Sequence, residues 1–387
     1  MENLITVIDF SASGLRLVTG YYFKGSVYVL QAMEGEPIHR NLQGFLDKKE
    51  TEDSLSLLLQ EAKRKLKNEL GVYIALLPPD GFLVKSDEGK SATVDTSSRI
   101  TQMDYVNCIN QINKKTKTDH KHIVYDDPFL FGDDNKRNQD SFPEGNASDQ
   151  LEVHADSQMV DDASFSYYES ILKDLHLDIY MYFIAPFCTV SFINFFEVPS
   201  SYVLLDIEKN YSYLSYVYER RMNESIQLSF GIDDIVSSAK DTLKRLDEEK
   251  TLEYLNLFGL RNESGFVFQT EEGITLKDTS GAFEKALIPL LDATDSMLKR
   301  HEAGREVPLI LSGPGSDIEE LDGYFVKELK RETSIFFNKV IGARNKVYAN
   351  CLGAILISSY KYQTPIQEAR RKEGDTTFLN HSFSRNK

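Results

Sequence analysis

The chain has 387 residues, 41% of them hydrophobic, with 44 Lys and Arg against 60 Asp and Glu and a formal net charge of −16. That length suits two or three domains with cores of their own, and the charge excludes a nucleic-acid binder that neutralises phosphate with bulk positive charge. Cys108, Cys188 and Cys351 lie far apart without metal-ligand spacing, which argues against a disulfide framework or structural zinc module and fits a reducing cytosol, and neither a signal peptide nor an apolar membrane span is expected.

Leu4–Asp9 reads as a buried strand, and Leu15–Thr19 and Ser26–Leu30 as two alternating strands. Leu55, Leu58, Leu59, Ala62, Leu66 and Leu70 recur at helical spacing behind an acidic opening at Thr51–Asp53. Val72–Leu77 returns to strand before Pro78-Pro79, giving the order β-β-β-α-β. The order restarts with strands at Tyr202–Ile207, Tyr211–Tyr218 and Met222–Phe230, then a helix from Gly231 and Asp233 to about Leu246. Asp9 and Asp206 fall at equivalent points, so the chain reads as a duplicated β-β-β-α unit.

Between the halves, Ile100–Ile112 predicts a helix with Met103, Val106 and Ile109 on one side, and His122–Tyr125 a short strand. Residues 126–162 hold eleven carboxylates and two cations, so the stretch 126–150 reads as a solvated acidic loop. Leu151–His154 then predicts a strand and Phe165–Leu175 a helix. In the second half, Ala282–Leu298 predicts an amphipathic helix kinked at Pro289, Pro308–Leu311 a short buried strand, and Asn350–Ile357 a buried helix; the chain turns polar from Gln363.

Two facing hairpin turns, each with an aspartate at the strand end, suit a nucleotide held in a cleft. Backbone N–H groups can meet phosphate oxygens and the carboxylates can order Mg²⁺-bound water. The sequence contains no G-x-S-x-G, P-loop or H-E-x-x-H motif, which lowers the case for a serine hydrolase, a P-loop enzyme or a zinc protease.

Asp9-Phe10-Ser11-Ala12-Ser13-Gly14 resembles the first phosphate motif of the actin/Hsp70-type ATPases. Asp206-Ile207-Glu208-Lys209-Asn210-Tyr211-Ser212 is similar to the second, and Ser312-Gly313-Pro314-Gly315 to the adenosine motif. With the Arg99-Ile100-Thr101…Asp104 helix start, the order resembles the FtsA branch, the bacterial cell-division proteins, over about residues 1–360.

This resemblance implies an α/β, actin-like ATPase fold with two lobes of ribonuclease-H-like subdomains. Subdomain 1A would comprise 1–85, 166–200 and a closing helix 346–362, with insert 1C at 86–165 carrying the acidic loop 126–150. Subdomain 2A would comprise 201–232 and 307–345, with 2B at 233–306 and a polar tail at 363–387. It implies a nucleotide site built from Asp9, Ser11, Ala12, Ser13, Asp206, Glu208, Lys209, Asn210, Ser312, Gly313, Pro314 and Gly315. Glu253 and Asn256 stand where the family carries an E-x-x-K pair for the ribose.

The departures weaken that site. Ser11 and Glu208 replace glycines, and Gly14 stands where the family has lysine. A carboxylate about 4 Å from phosphate costs roughly 4 kcal/mol at an effective dielectric near 20, about a thousandfold in affinity. ATP with Mg²⁺ at reduced affinity, and weak or absent hydrolysis, are therefore expected, with Asp9 and Asp206 as the catalytic candidates if the site is active. As partners the resemblance implies an FtsZ C-terminal tail, gripped by Phe266 and Phe268 with Lys299 and Arg300, and self-association through 1C. The tail residues Phe378, Leu379 and Phe383, among local cations, suit weak membrane-surface contact. The implied place is the inner face of the cell membrane at the division site, as an FtsZ-to-membrane tether. A PilM-like pilus-assembly scaffold is the alternative of the same fold, and an actin-fold kinase a more distant one.

Overall fold

The computed structural model describes residues 4–11, 14–67, 69–134, 141–244, 246–261, 273–301 and 306–362. The chain divides into two compact units, residues 1–188 with 351–387, and residues 189–350.

The first unit opens with β1 (Ile5–Asp9), β2 (Arg16–Phe23) and β3 (Ser26–Glu34), then α1 (Lys48–Leu66) and β4 (Val72–Leu77). Helix α1 starts ahead of the predicted acidic opening because Asp47 caps it, its side chain accepting from the Glu50 N–H at 3.0 Å. Next come β5 (Leu83–Ala92), α2 (Gln102–Thr116), β6 (Lys121–Asp133), β7 (Gln150–Asp161), α3 (Asp162–Asp174), β8 (Ile179–Ile184) and α4 (Ala185–Asn194), which crosses the boundary between the units. The main sheet has the order β3-β2-β1-β4-β8. Strand β1 lies antiparallel to β2 and parallel to β4. It is buried at every position, which explains its unbroken apolar run.

The insert is a second sheet of order β5-β7-β6 with α2 on one face. Thr101 and Asp104 form a capping box at the start of α2. Met103, expected on the buried side, is 55% exposed, because α2 buries Val106, Cys108, Ile109 and Ile112 instead. The acidic loop is also corrected. Its first part, Asp126–Asp133, continues β6 against β7. Asp126 is fully buried, with the Ser157 hydroxyl donating to it at 2.6 Å. Composition pointed to solvent here because acids, Asn, Gly and Ser dominate residues 126–150, while the pairing partners lie about 18 to 31 residues further on.

The second unit contains β9 (Tyr202–Ile207), β10 (Ser212–Tyr218) and β11 (Arg221–Leu228), then α5 (Ile232–Leu243), α6 (Glu248–Phe258), α7 (Leu276–Ala286) and α8 (Ile288–His301). Strand β12 (Leu309–Ser312), α9 (Leu321–Leu329) and β13 (Thr333–Ile335) complete it, and α10 (Ala349–Tyr362) begins at its boundary. Its sheet order, β11-β10-β9-β12-β13, repeats the first with the same parallel and antiparallel relations, as the duplication reading requires. The predicted helix Ala282–Leu298 is two helices. Pro289 falls in the first turn of α8, where its missing N–H costs no helical bond.

Candidate functional site

In the first unit the candidate site gathers at the end of β1. Register places Asp9 opposite Arg16 on β2 and Leu76 on β4, and the carboxylate is fully buried. The Ser11 N–H and hydroxyl both donate to Asp9 Oδ1, at 2.8 and 2.5 Å. Arg16, 2% exposed, brings Nη1 to 3.8 Å from Asp9 Oδ2 and Nε to 3.2 Å from Glu34. The cation missing at Gly14 thus enters two residues later, engaged by two carboxylates. Asp9 also acts electrostatically on buried Cys188, whose thiol burial pushes well above its ordinary range, an environment in which a cysteine is inert. Ala12 and Ser13 lie outside the described residues.

In the second unit Asp206 is the last residue but one of β9, opposite Tyr213 on β10 and Ser312 on β12. The β9–β10 turn is tight: the Glu208 N–H donates to the Tyr211 carbonyl at 2.9 Å. The Glu208 and Lys209 carbonyls then accept from the Ile232 and Asp233 amides at the start of α5, at 3.0 and 2.9 Å. Helix-terminal amides that would attract an anion are used inside the protein. Gly231 permits this approach, since a Cβ there would lie 2.5 Å from the Lys209 carbonyl oxygen. Asn210 donates to Asp233 at 3.0 Å; burial pushes that carboxyl up, and Lys209 and Asn210 oppose the shift.

The Ser312–Gly315 turn lies directly on the Asp206 strand end. Gly313 has φ +74°, and a Cβ on it would stand 2.4 Å from Asp206 Oδ1. A Cβ on Gly315 would meet the Ile207 side chain at 2.3 Å. Packing within the unit therefore explains both glycines. Pro314 opens a short 3₁₀ turn, and among the described residues the buried Ser312 hydroxyl oxygen has no hydrogen-bond partner.

The structure brings Asp206, Glu208, Ser312, Gly313 and Gly315 together, and separately Asp9 and Ser11. Glu253 and Asn256 instead face outward on α6, where Glu253 pairs with Lys250 at 2.8 Å. Lys299 pairs with Asp295 at 2.5 Å and Arg300 with Glu224 at 2.8 Å. Phe266, Phe268, Phe378, Leu379 and Phe383 lie outside the described residues.

Two cations escaped the sequence reading. Arg16 had a readable signal, a lone charge in an apolar strand one hairpin away from Asp9. Lys346 had none. It is 7% exposed, donates to Asp317 at 2.6 Å and the Ser316 hydroxyl at 2.8 Å, and lies 4.9 Å from the Phe337 ring centre. Only the folded chain brings it beside the 312–317 turn.

These residues fit ATP with Mg²⁺ poorly. Asp9 is enclosed by Ser11 and Arg16, Glu208 is only 5% exposed in the turn that would face phosphate, and the Ile232 and Asp233 amides of α5 are taken.

No protein-family model matches the chain, and no curated protein matches it in sequence. Solved structures do match. A PilM–PilN type IV pilus biogenesis complex aligns at 13% identity and TM-score 0.60, covering 93% of this chain and 99% of that one. MreB5 of Spiroplasma citri bound to ADP aligns at 8% identity and TM-score 0.53, covering 95% and 98%. A MamK double helical filament aligns at 9% identity and TM-score 0.51, covering 92% and 98%. At these identities the likeness establishes architecture, and with the two repeated sheets already described it closes the question of fold class: this chain has the actin-like ATPase fold.

Proposed function

We propose that the chain is an actin-fold assembly scaffold that holds a partner protein and hydrolyses ATP weakly or not at all. The observation that carries this is the enclosure of Asp9, fully buried under two bonds from Ser11 and beside a buried Arg16. An aspartate that must order Mg²⁺-bound water needs an open face, which this setting withholds. ATP binding, if retained, is weak, because Glu208 adds a carboxylate where the phosphates would lie. The scaffold reading is supported by neighbours that occur in a two-protein complex and a filament, which also favours self-association.

Among scaffolds we favour a pilus-assembly type of role, binding a short segment of a membrane-anchored partner at the inner membrane face. The FtsZ-tether reading places the same fold at the division site, but both of its proposed tail-binding cations, Lys299 and Arg300, already have intramolecular partners in Asp295 and Glu224. Among the described residues no helix is long and apolar enough to cross a membrane, which suits attachment through a partner.

Calorimetry with Mg-ATP tests the cleft. Wild type binds weakly or not at all, and Glu208→Gly binds tighter by up to about a thousandfold, the size of the relieved repulsion. Submicromolar affinity in both proteins would refute the degenerate turn. Binding to an FtsZ tail peptide but to no pilus-type N-terminal peptide would return the chain to the cell-division role.

A further inference from the structure

We propose that the insert binds a divalent transition-metal ion of the zinc class through Glu88, Glu152 and His154. The site lies on the face of the three-stranded sheet opposite α2. Helix α2 packs on the face bearing Leu151, Val153 and Ala155, so the alternating positions 152 and 154 point away from it. Register sets Glu88 directly across from His154, and Lys90 across from Glu152.

His154 Nε2 lies 2.8 Å from a Glu152 oxygen and 4.0 Å from a Glu88 oxygen, and donor atoms of the three residues all lie within 4.8 Å of one another. Metal bonds of about 2.0–2.2 Å set tetrahedral ligand–ligand edges of roughly 3.4 Å, which these separations bracket. Small rotations of two glutamates suffice to bring all three onto one ion. The imidazole favours a borderline ion such as Zn²⁺ over Mg²⁺ or Ca²⁺. A cavity of about 340 Å³, bordered by Ser86, Phe129 and His154, opens beside the group and leaves room for a fourth, exchangeable ligand.

The site already attracts a cation. Lys90 Nζ lies 3.1 Å from Glu152 and 3.4 Å from Glu88. With that ammonium in place the two carboxylates still leave one negative charge. A dication that displaces Lys90 neutralises both, and a half-exposed lysine pair is weak enough to open. The donors come from two strands more than sixty residues apart, so no local spacing announces them.

The test is titration of the full-length chain, stripped with chelator, with Zn²⁺, Co²⁺ and Mg²⁺. One Zn²⁺ should bind with a micromolar or tighter constant, Co²⁺ should develop the visible absorption of a low-coordinate N/O site, and Mg²⁺ at equal concentration should give no signal. His154→Ala and the milder Glu152→Gln should each weaken Zn²⁺ by at least about tenfold, with melting curves confirming that both remain folded. Lys90→Met should bind Zn²⁺ tighter than wild type. Absence of binding up to millimolar Zn²⁺, or undiminished binding by both ligand variants, overturns the site; equal or weaker binding by Lys90→Met overturns the displacement of Lys90.

Discussion

Asp9 is the last residue and Asp206 the last but one of the equivalent first strand of two sheets with one strand order, yet different residues surround them. Asp9 is held by charge and hydrogen bonds, with Arg16 across the hairpin and Ser11 folded back onto it. Asp206 lies under a turn whose Gly313 leaves no room for a side chain. A duplicated frame thus fixes where such a carboxylate sits but not which residues surround it. Asp126 extends the comparison, as a fully buried carboxylate held by Ser157 and Asn113 rather than by a cation; burial pushes it up to about 7.

Removing the charge at the first aspartate should have the largest effect. Arg16→Ala leaves Asp9 buried beside no guanidinium and should destabilise the protein by about 3–5 kcal/mol in denaturant unfolding, with Asp9→Asn in the same background recovering part of it. Equal destabilisation with and without Asp9→Asn would mean that Arg16 matters through packing alone.

The carboxylate without a cation should show itself in pH dependence. Its folded pKa of about 7 lies above the ordinary value of 3.8, so between those limits the folded chain keeps a proton that the unfolded chain has released. The Asp126 contribution therefore falls as pH rises from about 4 to 7. Asp126→Asn removes this dependence and should be more stable than wild type at pH 8, by on the order of 4 kcal/mol at most. The difference between the two proteins should shrink toward pH 4 in parallel unfolding series, and a pH-independent difference would contradict the buried, cation-free setting.

The turn over the second aspartate is tested by Gly313→Ala, which adds a Cβ at φ +74° against Asp206 and the Ile207 carbonyl. Strain and overlap together should cost about 2–3 kcal/mol, read as a lower unfolding midpoint. A neutral result would show that the turn can lift away from β9. The smallest effect belongs to Lys299→Ala with Arg300→Ala. Both pairs are largely exposed, so stability should change by no more than about 1 kcal/mol, and a larger loss would give these cations a structural role.

Much of the frame was legible before folding. The fully buried runs of β1 and β9 and the bounds of β4 stand out because interior strands of a mixed sheet are apolar on both faces. The edge strand β5, LVKSDEGKSA, escaped notice because one of its faces meets solvent and its polar residues conceal the period. Asp9, Asp206 and the 312–315 turn could be named from spacing, since strand ends and glycine turns leave local signatures.

The sequence by itself therefore determined the repeated β-β-β-α order and the positions of the two aspartates, because periodicity and turn chemistry act over a few residues. Tertiary structure decided what surrounds each carboxylate: Arg16 against Asp9, Gly313 against Asp206, Lys346 against Asp317, and Glu88 across from His154. Those relations depend on pairing register and on segments far apart in the chain. An aspartate's burial and partners are properties of the folded neighbourhood, and no local pattern of residue types encodes them.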